Sequence, residues 1–131
     1  MATPLIKVFT FTSPVVAGDQ VITGIGFQAK AFYFFSSGTG AVTFPCNFFE
    51  GIDDGVTHVA RSSASGWFLS CNNNSNTWAS SAYSLIVCRA TAINQIMALG
   101  HVSAIGADGL TITWDSIGIS PATQAWIGVA I

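Results

Sequence analysis

Apolar residues return at every second position along much of this chain, and that period restricts it to strands. Lys7-Val8-Phe9-Thr10-Phe11-Thr12 alternates, and so does Leu110-Thr111-Ile112-Thr113-Trp114-Asp115. In the second, Leu110, Ile112 and Trp114 share one face, while Thr111, Thr113 and Asp115 share the other. Successive side chains of a strand point to opposite faces, so such a segment buries one side only. The continuous apolar runs Ala31–Phe35 and Ser84–Cys88 read as central strands covered on both faces. Gln124–Ile131 reads as a last strand whose end carries core residues. Ala90–Leu99 fits two templates: Ile93, Ile96 and Met97 match i, i+3, i+4, and Ile96, Ala98, Gly100 and Val102 match a strand. Gly100 and the β-branched residues after it favour a strand from about Gln95 onward.

Turn signals separate these runs at short intervals: Ala17-Gly18-Asp19, Ser37-Gly38-Thr39-Gly40, Asp53-Asp54-Gly55 and Ala107-Asp108-Gly109. Asp-Gly joins a residue that tolerates a left-handed backbone to one that prefers it. Asp108-Gly109 therefore predicts a tight hairpin between Met97–Ile105 and Leu110–Asp115. The Asn-rich segment Cys71–Thr77 predicts a polar surface loop. Many short strands at this spacing predict an all-β fold, an antiparallel, jelly-roll-like β-sandwich. Nothing marks a linker, a domain boundary or a repeat, so residues 1–131 are expected to form one domain. Met1–Ile6 is read as a candidate N-terminal arm reaching a neighbour.

Charge is scarce: 8% of the 131 residues are Asp, Glu, Lys or Arg, against 50% hydrophobic, and mean hydropathy is +0.56. Roughly a quarter is usual for a soluble domain. The long charge-free stretches Ala31–Phe49 and Ala90–Ala107 are each interrupted by polar residues and Gly, so neither predicts a spanning helix. Four basic residues and a net charge of −2 exclude an electrostatic footprint for nucleic acid and a polybasic membrane patch. The N-terminal residues lack the charged and apolar regions of a secretory signal, so synthesis in the cytoplasm is expected. With little charge to keep copies apart, association is favoured. Cys46, Cys71 and Cys88 form no C-x-x-C pair and read as reduced, buried thiols.

Motifs of chemistry are weak. Gly24-Ile25-Gly26-Phe27-Gln28-Ala29 matches a dinucleotide fingerprint, but a strand follows where the motif needs a helix N-terminus. The glycines read as a turn or bulge between strands, and no cofactor is expected. Asp53-Asp54 with His58 reads as a solvated turn, because adjacent carboxylates on a strand diverge. His101 reads as a hydrogen-bonded structural residue. No catalytic or metal-binding residues are expected, and the chain is not read as an enzyme. Trp114 and Trp126 are in phase with core residues. Trp67 and Trp78 flank the Asn-rich loop and, with Asn73 and Asn74, are the candidates for a subunit interface or a glycan contact.

Two segments carry a family resemblance. Thr23–Phe35 (TGIGFQAKAFYFF) is similar to a G-x-G-F-x-P-K-A opening followed by an aromatic strand, with Ala29 where that pattern often has Pro. Ala107–Trp114 (ADGLTITW) resembles a later D-G-F-x-(I/L)-x-W strand. The family is a set of small β-sandwich virion proteins of tailed bacteriophages. The resemblance implies a non-catalytic virion component, a capsid-decorating cement protein that bridges capsid subunits. The alternative is a tail-tip or tail-fibre receptor-binding module that contacts a glycan. The implied partners are copies of itself, with a trimer as the candidate symmetry, and the major capsid protein or tail proteins. Neither nucleic acid nor membrane is among them.

Overall fold

The computed structural model describes residues 3–38, 47–64, 76–89, 95–117 and 124–131. Their regular elements are ten strands: β1 (Lys7–Thr12), β2 (Gly18–Thr23), β3 (Phe32–Gly38), β4 (Asn47–Asp53), β5 (His58–Ala64), β6 (Asn76–Ser80), β7 (Leu85–Arg89), β8 (Gln95–Ile105), β9 (Gly109–Ile117) and β10 (Ala125–Ala130). They form a β-sandwich of two antiparallel sheets, a six-stranded one in the order β1-β10-β3-β4-β5-β6 and a four-stranded one in the order β2-β9-β8-β7. The ends wrap in jelly-roll fashion: β1 pairs with β10 in one sheet, and β2 with β9 in the other. The middle is simpler, with β3 to β6 and β7 to β9 each paired as consecutive neighbours.

Alternation sets what lies between the sheets. From the six-stranded sheet come Phe32, Phe34, Trp126, Ala130 and Ala60, and from the four-stranded sheet Leu110, Ile112, Trp114, Val102 and Leu85, all buried. Trp114 and Trp126 are each 1% exposed, as their phase requires. Truncating either to Ala is expected to cost about 3–5 kcal/mol. Phe9, Phe11, Phe32, Phe34 and Trp126 form one aromatic group; the Phe11 and Trp126 rings stack at 6.2 Å and Phe9 meets Phe34 edge-on at 6.5 Å.

Two glycines set how closely parts of this core approach. A Cβ on Gly51 would lie 1.6 Å from the backbone oxygen of Ser84, so here the sheets touch backbone to backbone. A Cβ on Gly128 would lie 2.2 Å from the Phe9 ring, which lies over that glycine.

Leu85 and Ile86 are both buried, so the apolar run has both faces covered. Yet β7 is the edge of its sheet and not a central strand. It lies across β4 and β5 of the opposite sheet, which cover its inward face. The apolar run registered burial and carried no information on hydrogen-bonding position. β8 begins at Gln95, and residues 90–94 lie outside the described residues. Asn76 and Thr77, read as loop, open β6. Cys46 and Cys71 lie outside the described residues, and Cys88 is on β7. Thr3–Ile6 precedes β1 outside any strand, with Leu5 and Ile6 exposed.

Candidate functional site

The two outer faces of the sandwich differ in kind. On the six-stranded sheet, register aligns Val8 with Val129, Val129 with Tyr33, Tyr33 with Ile52, and Ile52 with Val59. Directly paired residues point the same way, so these five side chains make one apolar row across five strands. Val8 (61%), Ile52 (55%) and Val59 (44%) are exposed in the isolated chain. In the next row Ile127 stands opposite Phe35, and Tyr33 and Phe35 lie with ring centroids 5.6 Å apart. A shallow groove on this face is lined by Tyr33, Glu50, Gly51, Ile52 and Val59. The Tyr33 hydroxyl donates to Glu50 Oε2 at 3.0 Å. Burial, then the Glu50 bond and the Glu50 charge, push the Tyr33 hydroxyl above its ordinary pKa.

The outer face of the four-stranded sheet is a polar web. The Thr113 hydroxyl bridges Asp19 Oδ1 and Ser103 Oγ, each at 2.7 Å. Among the described residues of its strands, Val21 is the one large aliphatic side chain left strongly exposed.

Half of the chain's six acids, Asp53, Asp54 and Asp108, accept backbone amides of turns and connections. Asp108, in the β8–β9 hairpin, accepts Gly26 N–H at 2.6 Å and Gly24 N–H at 3.2 Å. Both glycines hold positive φ, +88° and +87°, which turns their amides toward one carboxylate. The Gly24–Ala29 segment thus connects β2 to β3, and the Asp108-Gly109 hairpin forms where the sequence placed it. The two segments that carry the family resemblance meet at this carboxylate.

Asp54 Oδ1 accepts Thr57 N–H at 2.6 Å and Val56 N–H at 3.0 Å, closing the β4–β5 turn. Those bonds hold its carboxyl below the usual range. Asp53 departs from the solvated turn read for it: it is fully buried. Alternation sends its side chain inward while Asp54 points out. Its Oδ1 accepts Gly55 N–H at 2.8 Å; its Oδ2 accepts Val102 N–H at 2.8 Å and lies 2.8 Å from His58 Nδ1. One carboxylate from the six-stranded sheet thereby satisfies a backbone amide of β8 in the other.

His101 meets His58 here, with ring centroids 5.1 Å apart and planes at 61°, and Tyr83 borders His101 at 6.3 Å. His101 Nδ1 is 2.9 Å from Asp115 Oδ2, close enough for an ion pair but outside aligned hydrogen-bond geometry. Among the described residues no group of three or more His, Cys, Asp or Glu side chains is placed to hold a metal ion. Sequence reasoning joined Asp53 to His58 but missed His101 and Asp115, because their approach depends on how the sheets stack.

Of the sequence-derived candidates, Trp67, Asn73 and Asn74 lie outside the described residues, and Trp78 is on β6, the edge strand of the six-stranded sheet. No family model, curated protein or solved structure matches the chain.

Proposed function

We propose that this chain is a structural subunit of a bacteriophage virion, a capsid-decorating cement protein that works by binding and not by turnover. The carrying observation is the apolar row Val8-Val129-Tyr33-Ile52-Val59 on the outer face of the six-stranded sheet. A face of that composition gains by being covered, and its occupant in this reading is a neighbouring copy of the same chain. Scarce charge favours self-association over a charge-selected partner. Six strands about 4.8 Å apart, each about seven residues long, make a face of roughly 600 Å², somewhat under the ~800 Å² per partner of a standard interface. Such a contact suits an oligomer completed by further contacts on the capsid surface, where binding adds to shell stability by mass action. The resemblance of Thr23–Phe35 and Ala107–Trp114 to small virion β-sandwich proteins supplies the particle.

A copy count per purified particle, with a heat challenge of particles made with and without the chain, tests this. Hundreds of copies and a loss of heat resistance on deletion support the cement role. A few dozen copies or fewer, with unchanged robustness and failed adsorption, would replace it with the tail receptor-binding role. Trp67, Trp78, Asn73 and Asn74 would then be the first glycan contacts to substitute.

A further inference from the structure

We infer that the free edge of β1 pairs with β1 of a second copy, antiparallel about a two-fold axis at Val8, so that two six-stranded sheets join into one. The inference rests on the self-association proposed above and adds a second contact to it. β1 ends its sheet, pairs with β10 alone among the described strands, and keeps register over all six residues without a bulge. By contrast, β7 breaks its register between Val87 and Cys88, which blunts that edge. The hydrogen-bond phase shows which backbone groups of β1 stay free. Ser13 N–H donates to Gln124 O at 2.8 Å, one step beyond the pairing of Phe11 with Trp126 and of Phe9 with Gly128 by way of alternate residues. On the other side of β10, Ile131 and Ala31 exchange both their bonds, so the odd-numbered residues of β10 serve β3 and the even-numbered ones serve β1. Antiparallel partners exchange bonds at every second residue. The odd-numbered residues of β1 therefore face β10, and Val8, Thr10 and Thr12 direct N–H and C=O to the open edge. Thr12 O is indeed taken by a group outside β10, Gln20 Nε2, at 2.7 Å.

One register fits these free groups. With Val8 opposite Val8 of the second copy, Ile6 stands opposite Thr10 and Pro4 opposite Thr12. Val8 exchanges both bonds with its mate, and Ile6 does so with Thr10. Pro4 has no N–H, and the carbonyl it would otherwise serve, Thr12 O, is the one Gln20 already occupies. Setting Val8 opposite Thr10 instead would aim the Ile6 N–H at that occupied carbonyl. The chosen register also continues the apolar row from Val8 of one copy into Val8 of the next, since directly paired residues share a face. It covers Leu5 and Ile6, which are 59% and 63% exposed in the isolated chain. Leu5 then faces Phe11, and Lys7, the one charge of the strand, faces the Phe9 ring. A two-fold contact closes on itself, so it makes pairs of copies and not the trimer that the resemblance implies. Joining two outer faces makes one of roughly 1,200 Å², above the ~800 Å² per partner of a standard interface. Edge pairing and the covering of the face therefore strengthen each other.

The test is residue-resolved amide hydrogen exchange on the native full chain at low and high concentration, with sedimentation velocity on Thr10→Pro alongside. The Val8 and Thr10 amides should exchange freely in the dilute chain and at least tenfold more slowly in the associated one. The Phe9 and Phe11 amides, bonded to β10, should be protected in both. Thr10→Pro removes an N–H that points away from β10, so it should keep the melting temperature and associate at least tenfold more weakly. The exchange pattern needs no variant and decides the matter if Thr10→Pro folds poorly. An associated native chain whose Val8 and Thr10 amides still exchange freely would overturn the edge pairing and leave the covered face standing. So would a folded Thr10→Pro that associates like the native chain. A native chain that stays monomeric at high concentration would overturn both contacts together.

Discussion

The outer face of the six-stranded sheet and the outer face of the four-stranded sheet are built on the same alternating strands, yet they meet solvent differently. The first carries Val8, Val129, Tyr33, Ile52 and Val59 in register across five strands. The second carries the linked Thr113, Asp19 and Ser103, with Val21 as a single exposed aliphatic side chain among the described residues. The scarcity of charge in this chain is therefore not a uniform dilution. Asp53, Asp54 and Asp108 are occupied with backbone amides in turns, which leaves even fewer acids for the surface. The polar face is maintained by hydroxyls, while the other leaves Val8, Ile52 and Val59 exposed in the isolated chain. Beside the apolar row, register sets Thr10 and Glu50 in line with Ile127 and Phe35, and in the proposed reading a neighbouring copy covers this face.

The contrast can be broken from beneath or sharpened at its surface. The largest effect is expected from Gly51→Ala, which removes both faces at once. The new methyl would sit 1.6 Å from the Ser84 carbonyl oxygen, and backbone cannot yield as a side chain does. A loss of about 5 kcal/mol or more, or no recoverable folded chain, is expected by urea unfolding. Normal stability in this variant would mean that the sheets are not in contact there.

Asp53→Ala comes next. It strands the Gly55 and Val102 amides and the His58 ring, at an expected cost of about 3–5 kcal/mol. The unfolding midpoint reads it, and the β4–β5 turn should become the first region to exchange its amide protons.

The smallest effect is a pH response confined to the apolar face. The Tyr33 hydroxyl titrates above its unfolded value of 10.0. Its contribution is therefore complete below that value and is lost as pH rises through the higher folded value. Between about pH 9 and pH 12 the native chain should lose more stability than Tyr33→Phe. Parallel curves would show that the Glu50 contact has no energetic weight.

Much of the fold was legible in the sequence because it rests on local signals. The alternation of Lys7–Thr12 and Leu110–Asp115, the Asp108-Gly109 turn and the phase of Trp114 and Trp126 needed no knowledge of distant residues. The Gly-x-Gly segment was readable as a connection between strands for the same reason. What stayed hidden depends on how strands are ordered and how the sheets stack. The continuous apolar run Ser84–Cys88 suggested a central strand, yet β7 is an edge strand whose inward face packs on the opposite sheet. The apolar row joins residues from Val8 to Val129, and no one-dimensional pattern shows that register. His101 reaches His58 only because the β4–β5 turn closes on β8. Asp53 and Asp54, identical and adjacent, were read as one solvated turn. Alternation alone could have separated the buried one from the exposed one.

The central claim is that one face of this sandwich is an association surface and the other is not. Sedimentation velocity on matched substitutions tests it most directly: Ile52→Lys on the six-stranded sheet and Val21→Lys on the four-stranded sheet, both at exposed aliphatic positions. The account predicts that the native chain and Val21→Lys self-associate alike, whereas Ile52→Lys shifts to monomer with at least a tenfold weaker association. A native chain that stays monomeric at high concentration, or a loss of association in Val21→Lys with none in Ile52→Lys, would contradict it.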